Sequence, residues 1–332
     1  MQNCWFEHTL IRRGMRHLKH NITPPLDYID GVIASKRARG DDDLIEKERA
    51  KCRAAGKPIP PDLTYKERCS EIRQRNKEEL KKYKAAFDAD DFATVPQGVP
   101  IPLNGPKKDC DDMDSLYSFH SAPMGKLWSE VLSDGGYLND MCPICGSVKT
   151  TTFDHFLPQS KYQLFAVHPL NLIPSCTVCN GHKLKNVFDA NHQRLYWNAY
   201  IDNETDEQFL FCDISEEKRM PKASFRIEQG NLPDRYFEIV KNTFDGLKIA
   251  DNYRDSSGRE IARLKDSCCK FYIKNQDKGI DACIQIVADT IPDTNVNDWV
   301  NVLDKALIGT NIFKRFVAQA LKQDYGIDLG LV

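Results

Sequence analysis

The chain has 332 residues, 46 Lys and Arg against 48 Asp and Glu, a formal net charge of -2, 41% apolar residues and 12 cysteines. That apolar content over that length supports packed cores and excludes a fully disordered chain. No apolar run reaches the roughly 18 residues of a membrane-spanning helix, and the opening MQNCWFEHTLIRRGMRHLKH lacks the apolar centre of a secretory signal, so a cytoplasmic protein with no membrane partner is expected.

Near-zero net charge excludes a uniformly basic nucleic-acid coat, but the charge is segregated. Residues 1–100 hold 20 basic and 16 acidic side chains, and residues 101–332 hold 26 and 32. Cysteines this sparse, with no export signal, indicate a reducing compartment rather than a disulfide framework. Eight are scattered, while Cys142/Cys145 and Cys176/Cys179 form two Cys-x-x-Cys pairs.

Residues 1–120 read as a helical region that docks on a protein partner or on DNA. A basic cluster (Arg12, Arg13, Arg16, His17, Lys19, His20) precedes Pro24-Pro25. Its expected role is a solvated helix face, with a DNA-binding arm as the alternative. Asp41-Asp42-Asp43 can cap and charge-stabilise a helix to about residue 55, which Gly56 and Pro58, Pro60 and Pro61 end. Thr64 with Glu67 is a capping-box pair. Tyr65, Cys69, Ile72, Leu80, Tyr83 and Phe87 then recur at helical spacing and predict one long amphipathic helix to about residue 87. Its apolar face is expected to pack on its own chain, or otherwise on a partner. Residues 94–112, rich in Pro, Gly and Asp, read as a loop or boundary, followed by a short helix over about 123–133.

The chemistry is concentrated in residues 142–186, CPICGSVKTTTFDHFLPQSKYQLFAVHPLNLIPSCTVCNGHKLKN. Four cysteines in two tight turns match the ligand set of a closed tetrahedral Zn²⁺ site. The 30 residues between the pairs exceed a simple zinc ribbon, so further structure is expected between them. Thr150–Phe153 predicts a strand ending at Asp154-His155, and Asn171-Leu172-Ile173 a second one. A helix from about Thr177 carries Asn180 and Lys183. Asp154, His155 and Asn180 are the polar groups expected at the open face of this ββα unit.

These residues resemble the HNH endonucleases of the ββα-metal fold, over about residues 123–190. The resemblance rests on Asp154-His155, Asn171-Leu172 and Cys176-x-x-Cys179-Asn180, with Asn180 standing where a His is common, an HNN variant. The phrase DHFLPQSKY is also similar, more loosely, to HNH nuclease subunits of bacterial defence and restriction operons. The HNH resemblance implies DNA, double-stranded, as substrate, and the looser one a defence-system ATPase as partner. The HNH resemblance further implies that Asn171 orients His155.

The chemistry follows from the residue types as well. Neutral imidazole is a competent base near neutral pH, so His155 can take a proton from water. Asp154 and the Asn180 side-chain oxygen are hard donors suited to catalytic Mg²⁺ or Mn²⁺. Consecutive strand residues face opposite ways, so Asp154 and His155 can share a site only if the strand ends there, as Phe156-Leu157-Pro158 suggests. Asn171 can hold the loop that carries His155, and Lys183 can hold a backbone phosphate as a point charge. His182 lies round the far side of the helix from Asn180. His168 reads as a packing histidine. Lys149, Lys161, Lys183 and Lys185 against Asp154 make this segment locally basic.

After residue 190, strand-like stretches at 208–214 and 222–228 precede helical ones near 233–248, 257–275, 278–289, 296–308 and 311–323. The expectation is an α-rich α+β protein with a zinc-pinned ββα core over 121–190 and a mixed region over 191–332. Its expected function is metal-dependent hydrolysis of nucleic-acid phosphodiester bonds. The alternatives are a non-catalytic zinc-knuckle binding module and a nuclease subunit silent until assembled.

Overall fold

The computed structural model describes residues 14–19, 23–134, 136–183, 185–292 and 295–331. Arg12, Arg13 and His20 of the basic cluster lie outside them. The protein is α+β, with small antiparallel sheets set among helices, and none of its described helices is long and apolar enough to cross a membrane.

Helix α1 (Pro25–Ala34) begins on a proline, whose missing N–H is one that a first turn leaves unpaired anyway. Helix α2 (Asp42–Ala54) follows. Its acidic start works differently from a simple cap, because the Asp42 carboxylate accepts from Arg39 N at 2.8 Å and from Tyr65 N at 2.7 Å. It thereby ties α2 to the first residue of α3 (Tyr65–Arg75). The capping box forms, with the Thr64 hydroxyl accepting from Glu67 N and the Glu67 carboxylate from Thr64 N.

The single long helix expected over 64–87 is two helices, α3 and α4 (Lys77–Asp88). Asn76, fully buried at the junction, breaks it. Its amide donates to Ile72 O and Ile101 O and accepts from Ile101 N. A buried amide has to be satisfied, and these partners bind the turn to the 98–103 segment. The stretch read as a loop also contains a helix, α5 (Pro106–Asp114). The Asp109 carboxylate accepts the Leu103 and Asn104 N–H groups and so fastens the entry to α5.

Helix α6 (Ala122–Leu132) leads into a minimal hairpin, β1 (Ser133–Asp134) and β2 (Tyr137–Leu138). Strand β3 (Thr152–His155) pairs antiparallel with β4 (Leu172–Ser175), and α7 (Thr177–His182) packs on β3. Strands β5 (Leu210–Glu217) and β6 (Met220–Ile227) form a separate hairpin. Five helices then follow, α8 (Asp234–Gly246), α9 (Ile249–Lys274), α10 (Ile280–Ala288), α11 (Trp299–Ile308) and α12 (Asn311–Tyr325).

The buried apolar side chains form one continuous cluster that runs through all three sequence regions. The stripe on α4 is covered by this chain. Tyr83 stacks on Phe165 with centroids 4.9 Å apart, and Phe92, just beyond α4, meets Phe156 at 5.4 Å. Self-packing therefore accounts for the periodicity of α4. At the other end, β6 alternates inward Pro221, Ala223 and Phe225 with outward residues, as a half-buried strand must. Phe225 packs on Trp299, which stacks on Tyr253 of α9 at 5.3 Å.

One buried carboxylate gives this core a pH dependence. Asp304 on α11 pairs with Arg263, but its Oδ1 is buried without a hydrogen-bond partner. Burial pushes its pKa up to about 6, against the pull of Arg263. Because the folded value lies above the unfolded one, the contribution to stability is full below the unfolded value, is still mostly present at pH 4 and is lost as pH rises through 6. The unfolding free energy of wild type minus that of Asp304→Asn should fall by about 2–3 kcal/mol between pH 4 and pH 7. Urea titrations at both pH values test this, and an unchanged difference would contradict it.

Candidate metal centre and catalytic face

The first cysteine pair lies on a tight turn. Gly146 N donates to Cys142 O at 2.8 Å, and Gly146 adopts φ 65°, a conformation that costs other residues a Cβ clash. The second pair opens α7. Cys176 is its N-cap, and the Cys176 Sγ accepts from Cys179 N at 3.3 Å. All four cysteines are buried, and their Sγ atoms lie within 4.8 Å of one another. Cys145 and Cys176 Sγ are 3.9 Å apart, close to the roughly 3.8 Å edge of a tetrahedron built on 2.3 Å metal–sulfur bonds. The cluster can hold a metal ion.

The knuckle is held by residues distant in sequence. Arg16 donates through its guanidinium to Asn139 O at 2.8 Å and Met141 O at 2.7 Å, and through its backbone to Pro143 O at 2.9 Å. The expected solvated face is therefore corrected at this position. Arg16 is buried and braces the first cysteine turn, and residues 16–19 are not helical. His17 meets Asp202 O at 3.0 Å. From the C-terminal region Trp299 donates to Gly146 O at 3.4 Å.

The second half of the site is the end of β3. The register sets Asp154 opposite Ile173 and His155 opposite Leu172. The ladder closes with Phe156 N donating to Asn171 O, and the chain then turns away. His155 Nε2 lies 2.9 Å from Ala166 O. A carbonyl only accepts, so Nε2 carries the proton and Nδ1 keeps the lone pair. Nδ1 has no hydrogen-bond partner among the described residues. Burial pushes the His155 pKa down to about 4, with the Ala166 carbonyl and Asp154 opposing, so the ring is neutral at pH 7.

Asn171 is fully buried and uses its whole amide. Its Oδ1 accepts from Leu157 N at 2.7 Å and Tyr83 Oη at 3.1 Å, while Nδ2 donates to Leu157 O and Phe165 O. It thus holds the 156–166 loop, as its placement in sequence suggests. Its hydrogen bonds fix the ring only indirectly, since Phe165 precedes the Ala166 carbonyl that His155 meets. Asn171→Ala would strand the Leu157 N–H, the Leu157 carbonyl and the Tyr83 hydroxyl, while Phe165 O keeps its bond from His168 N. Urea unfolding should show a loss of at least about 3 kcal/mol, and a loss below 1 kcal/mol would contradict this account.

The structure places Lys183 differently from the sequence-based expectation. Its Nζ lies 2.6 Å from Asp154 Oδ2, 2.8 Å from His155 O and 3.0 Å from Phe156 O. Three acceptors match the three ammonium protons, and the side chain is buried. Lys183 is therefore a buried brace on the strand end and is not free to hold a phosphate. Asn180, one turn earlier, directs Nδ2 at Phe153 O at 3.4 Å, a weak bond. Asn180 Oδ1 and Asp154 Oδ1 accept no hydrogen bond among the described residues, so a hard-donor pair remains. His182 turns its Nδ1 to Val178 O within α7. His168 is a packing residue, fully buried against Tyr83 and Phe165.

Two contributors, Ala166 and Trp299, carried no local signal in the sequence, and Arg16 carried one only as part of a basic cluster. Tyr83 did carry one, a hydroxyl on an otherwise apolar stripe.

The chain is similar to protein ea31 of Escherichia phage lambda, 29% identical over 210 residues that cover 58% of this chain and 69% of that protein. No protein-family model matches the chain, and no solved structure matches it.

Proposed function

We propose that this protein is a metal-dependent endonuclease of the HNH type, hydrolysing nucleic-acid phosphodiester bonds, with double-stranded DNA as the substrate. The observation that carries the reading is the end of β3. There a neutral histidine with a free Nδ1 follows a carboxylate, beside a helix that supplies Asn180 and is opened by the four-cysteine cluster. A base, two hard oxygen donors and a rigid clamp are what phosphodiester hydrolysis asks of a protein.

In this reading Zn²⁺ sits among Cys142, Cys145, Cys176 and Cys179 and fixes the entry of α7 relative to the turn before β3. Asp154 Oδ1 and Asn180 Oδ1 would hold Mg²⁺ or Mn²⁺, which when bound supplies positive charge to the scissile phosphate and the leaving oxygen. His155 Nδ1 takes a proton from water, the resulting hydroxide forms the new bond to phosphorus, and the bond to the leaving oxygen breaks. Ala166 O holds the Nε2 proton and stabilises the imidazolium that forms. Asn171 keeps the loop bearing that carbonyl in place, and Lys183 keeps Asp154 at the strand end.

Within 142–187, Lys183 is buried on Asp154 and Lys149 pairs with Asp140, which leaves Lys161 and Lys185 as cations with no ion pair among the described residues. Two phosphate contacts give little affinity at physiological salt, so the remaining contacts must come from elsewhere, including a partner. The brace on Asp154 favours a second reading, a nuclease subunit silent until assembled, with a defence-system ATPase as the partner. Cleavage of plasmid DNA with Mg²⁺ or Mn²⁺, with and without that partner, tests both readings. Cleavage by the wild type but not by Asp154→Ala or Asn180→Ala supports the first. Activity equal in all three proteins overturns it.

A further inference from the structure

A residue outside the ββα unit faces the base directly. Tyr117 lies in the 115–121 segment between α5 and α6, and its ring meets the His155 ring edge-on, with centroids 4.5 Å apart and planes at 73°. We infer that Tyr117 is the positioning residue of His155, holding the imidazole against the Ala166 carbonyl so that Nδ1 stays aimed at the reacting water. The inference rests on His155 being the base.

Three observations carry it. First, the imidazole has one hydrogen bond, Nε2 to Ala166 O at 2.9 Å. One bond fixes a point on the ring but leaves it free to swing about that point. An aromatic edge against the ring removes that freedom, and edge-to-face contacts have a preferred geometry.

Second, the segment that presents Tyr117 is fastened on both sides. Ser115 Oγ lies 3.1 Å from Tyr65 Oη, and Leu116 is fully buried. Gln159 donates to Asp114 O at 3.1 Å, which joins the segment to the loop after β3. Phe119 packs edge-on against Phe153, with centroids 5.9 Å apart. The segment is therefore held against β3 at two aromatic contacts, Tyr117 on His155 and Phe119 on Phe153.

Third, burial raises the pKa of the Tyr117 hydroxyl, and Thr152 and the Phe153 backbone lie close enough to oppose that rise but bond it with poor geometry. Contacts of that quality fix the phenol weakly, whereas its ring meets His155 in a preferred edge-to-face geometry. What the structure uses is the ring. Phenylalanine should therefore serve, and an aliphatic side chain of similar bulk should not.

The experiment compares wild type, Tyr117→Phe, Tyr117→Leu and Tyr117→Met by two readouts. The first is plasmid cleavage with Mg²⁺ or Mn²⁺, separated into kcat and KM. The second is the His155 ring-proton resonances of histidine-labelled protein, assigned by their loss in His155→Gln. Tyr117→Phe should keep kcat within about 3-fold, whereas Tyr117→Leu and Tyr117→Met should lose about 10- to 100-fold with KM unchanged. The His155 resonances should stay displaced by the aromatic ring current in wild type and Tyr117→Phe and move in the other two.

If Tyr117→Leu or Tyr117→Met cleaves at the wild-type rate, or leaves the His155 resonances where they were, the positioning role is wrong. If Tyr117→Phe falls as far as Tyr117→Leu, the hydroxyl is the working group and the inference is equally wrong. A wild type that cleaves nothing with or without the partner defeats the nuclease reading instead, and the resonances alone then decide whether Tyr117 holds the ring. Tyr117→Met keeps the test open should Tyr117→Leu fail to fold.

Discussion

Cys176→Ser is expected to unfold the centre of this protein. Cys176 does two jobs from one sulfur, a corner of the four-cysteine cluster and the N-cap acceptor for Cys179 N. Serine could replace the cap but not the soft, charged ligand a zinc ion needs. Structural zinc in small metallodomains is worth on the order of 10–16 kcal/mol, as much as a whole domain's usual net stability of roughly 5–15 kcal/mol. Elemental analysis should find about one zinc per wild-type chain and much less in the variant. Circular dichroism and limited proteolysis should show loss of structure, and chelation of the wild type should do the same. A folded, metal-free and active Cys176→Ser protein would remove zinc from the account.

His155→Ala is expected to abolish most cleavage while leaving the fold in place. The imidazole closes no backbone ladder, and its one hydrogen bond is to a loop carbonyl, so its removal leaves a small gap rather than a broken core. Loss of a general base lowers the rate by about 10²- to 10⁴-fold. Supercoiled-plasmid cleavage with Mg²⁺ or Mn²⁺ reads that effect, and a melting curve close to wild type shows that the chemistry was lost and not the structure. Equal activity in the two proteins would remove His155 from the reaction.

The two predictions act on opposite ends of one short assembly. The cysteine cluster sets where α7 starts, α7 carries Asn180, and Lys183 just beyond it reaches back to Asp154. A change at the metal should therefore be felt at the strand end, whereas a change at His155 should stay local.

Much of this centre was legible in the sequence because its signals are local. Two Cys-x-x-Cys turns, a strand ending in Asp154-His155 and a helix starting after Cys176 are each settled within a few residues. The capping box at Thr64 was legible for the same reason. The break at Asn76 was not, since apolar spacing continues unchanged across it. Only the partner backbone at Ile101 explains why a polar residue is buried there. Helix α5 was hidden by its Pro and Asp content, which marks a loop in general but here supplies a first-turn proline and an anchoring carboxylate.

What the amino-acid sequence determined by itself was the inventory of the site, four thiolates, one histidine, one carboxylate and two asparagines at spacings that permit a ββα unit. What only the tertiary structure decided was how each group is engaged. Lys183 looked like a phosphate contact because a lysine on a helix face is usually solvated, and it is instead saturated by Asp154 and two carbonyls. Arg16 looked like part of a basic arm and braces the first cysteine turn. Tyr117 carried no signal, and its ring lies against His155. The physical reason is common to all three. A side chain's type and local spacing fix what it can donate or accept, whereas burial and the partner brought from a distant part of the chain fix what it does.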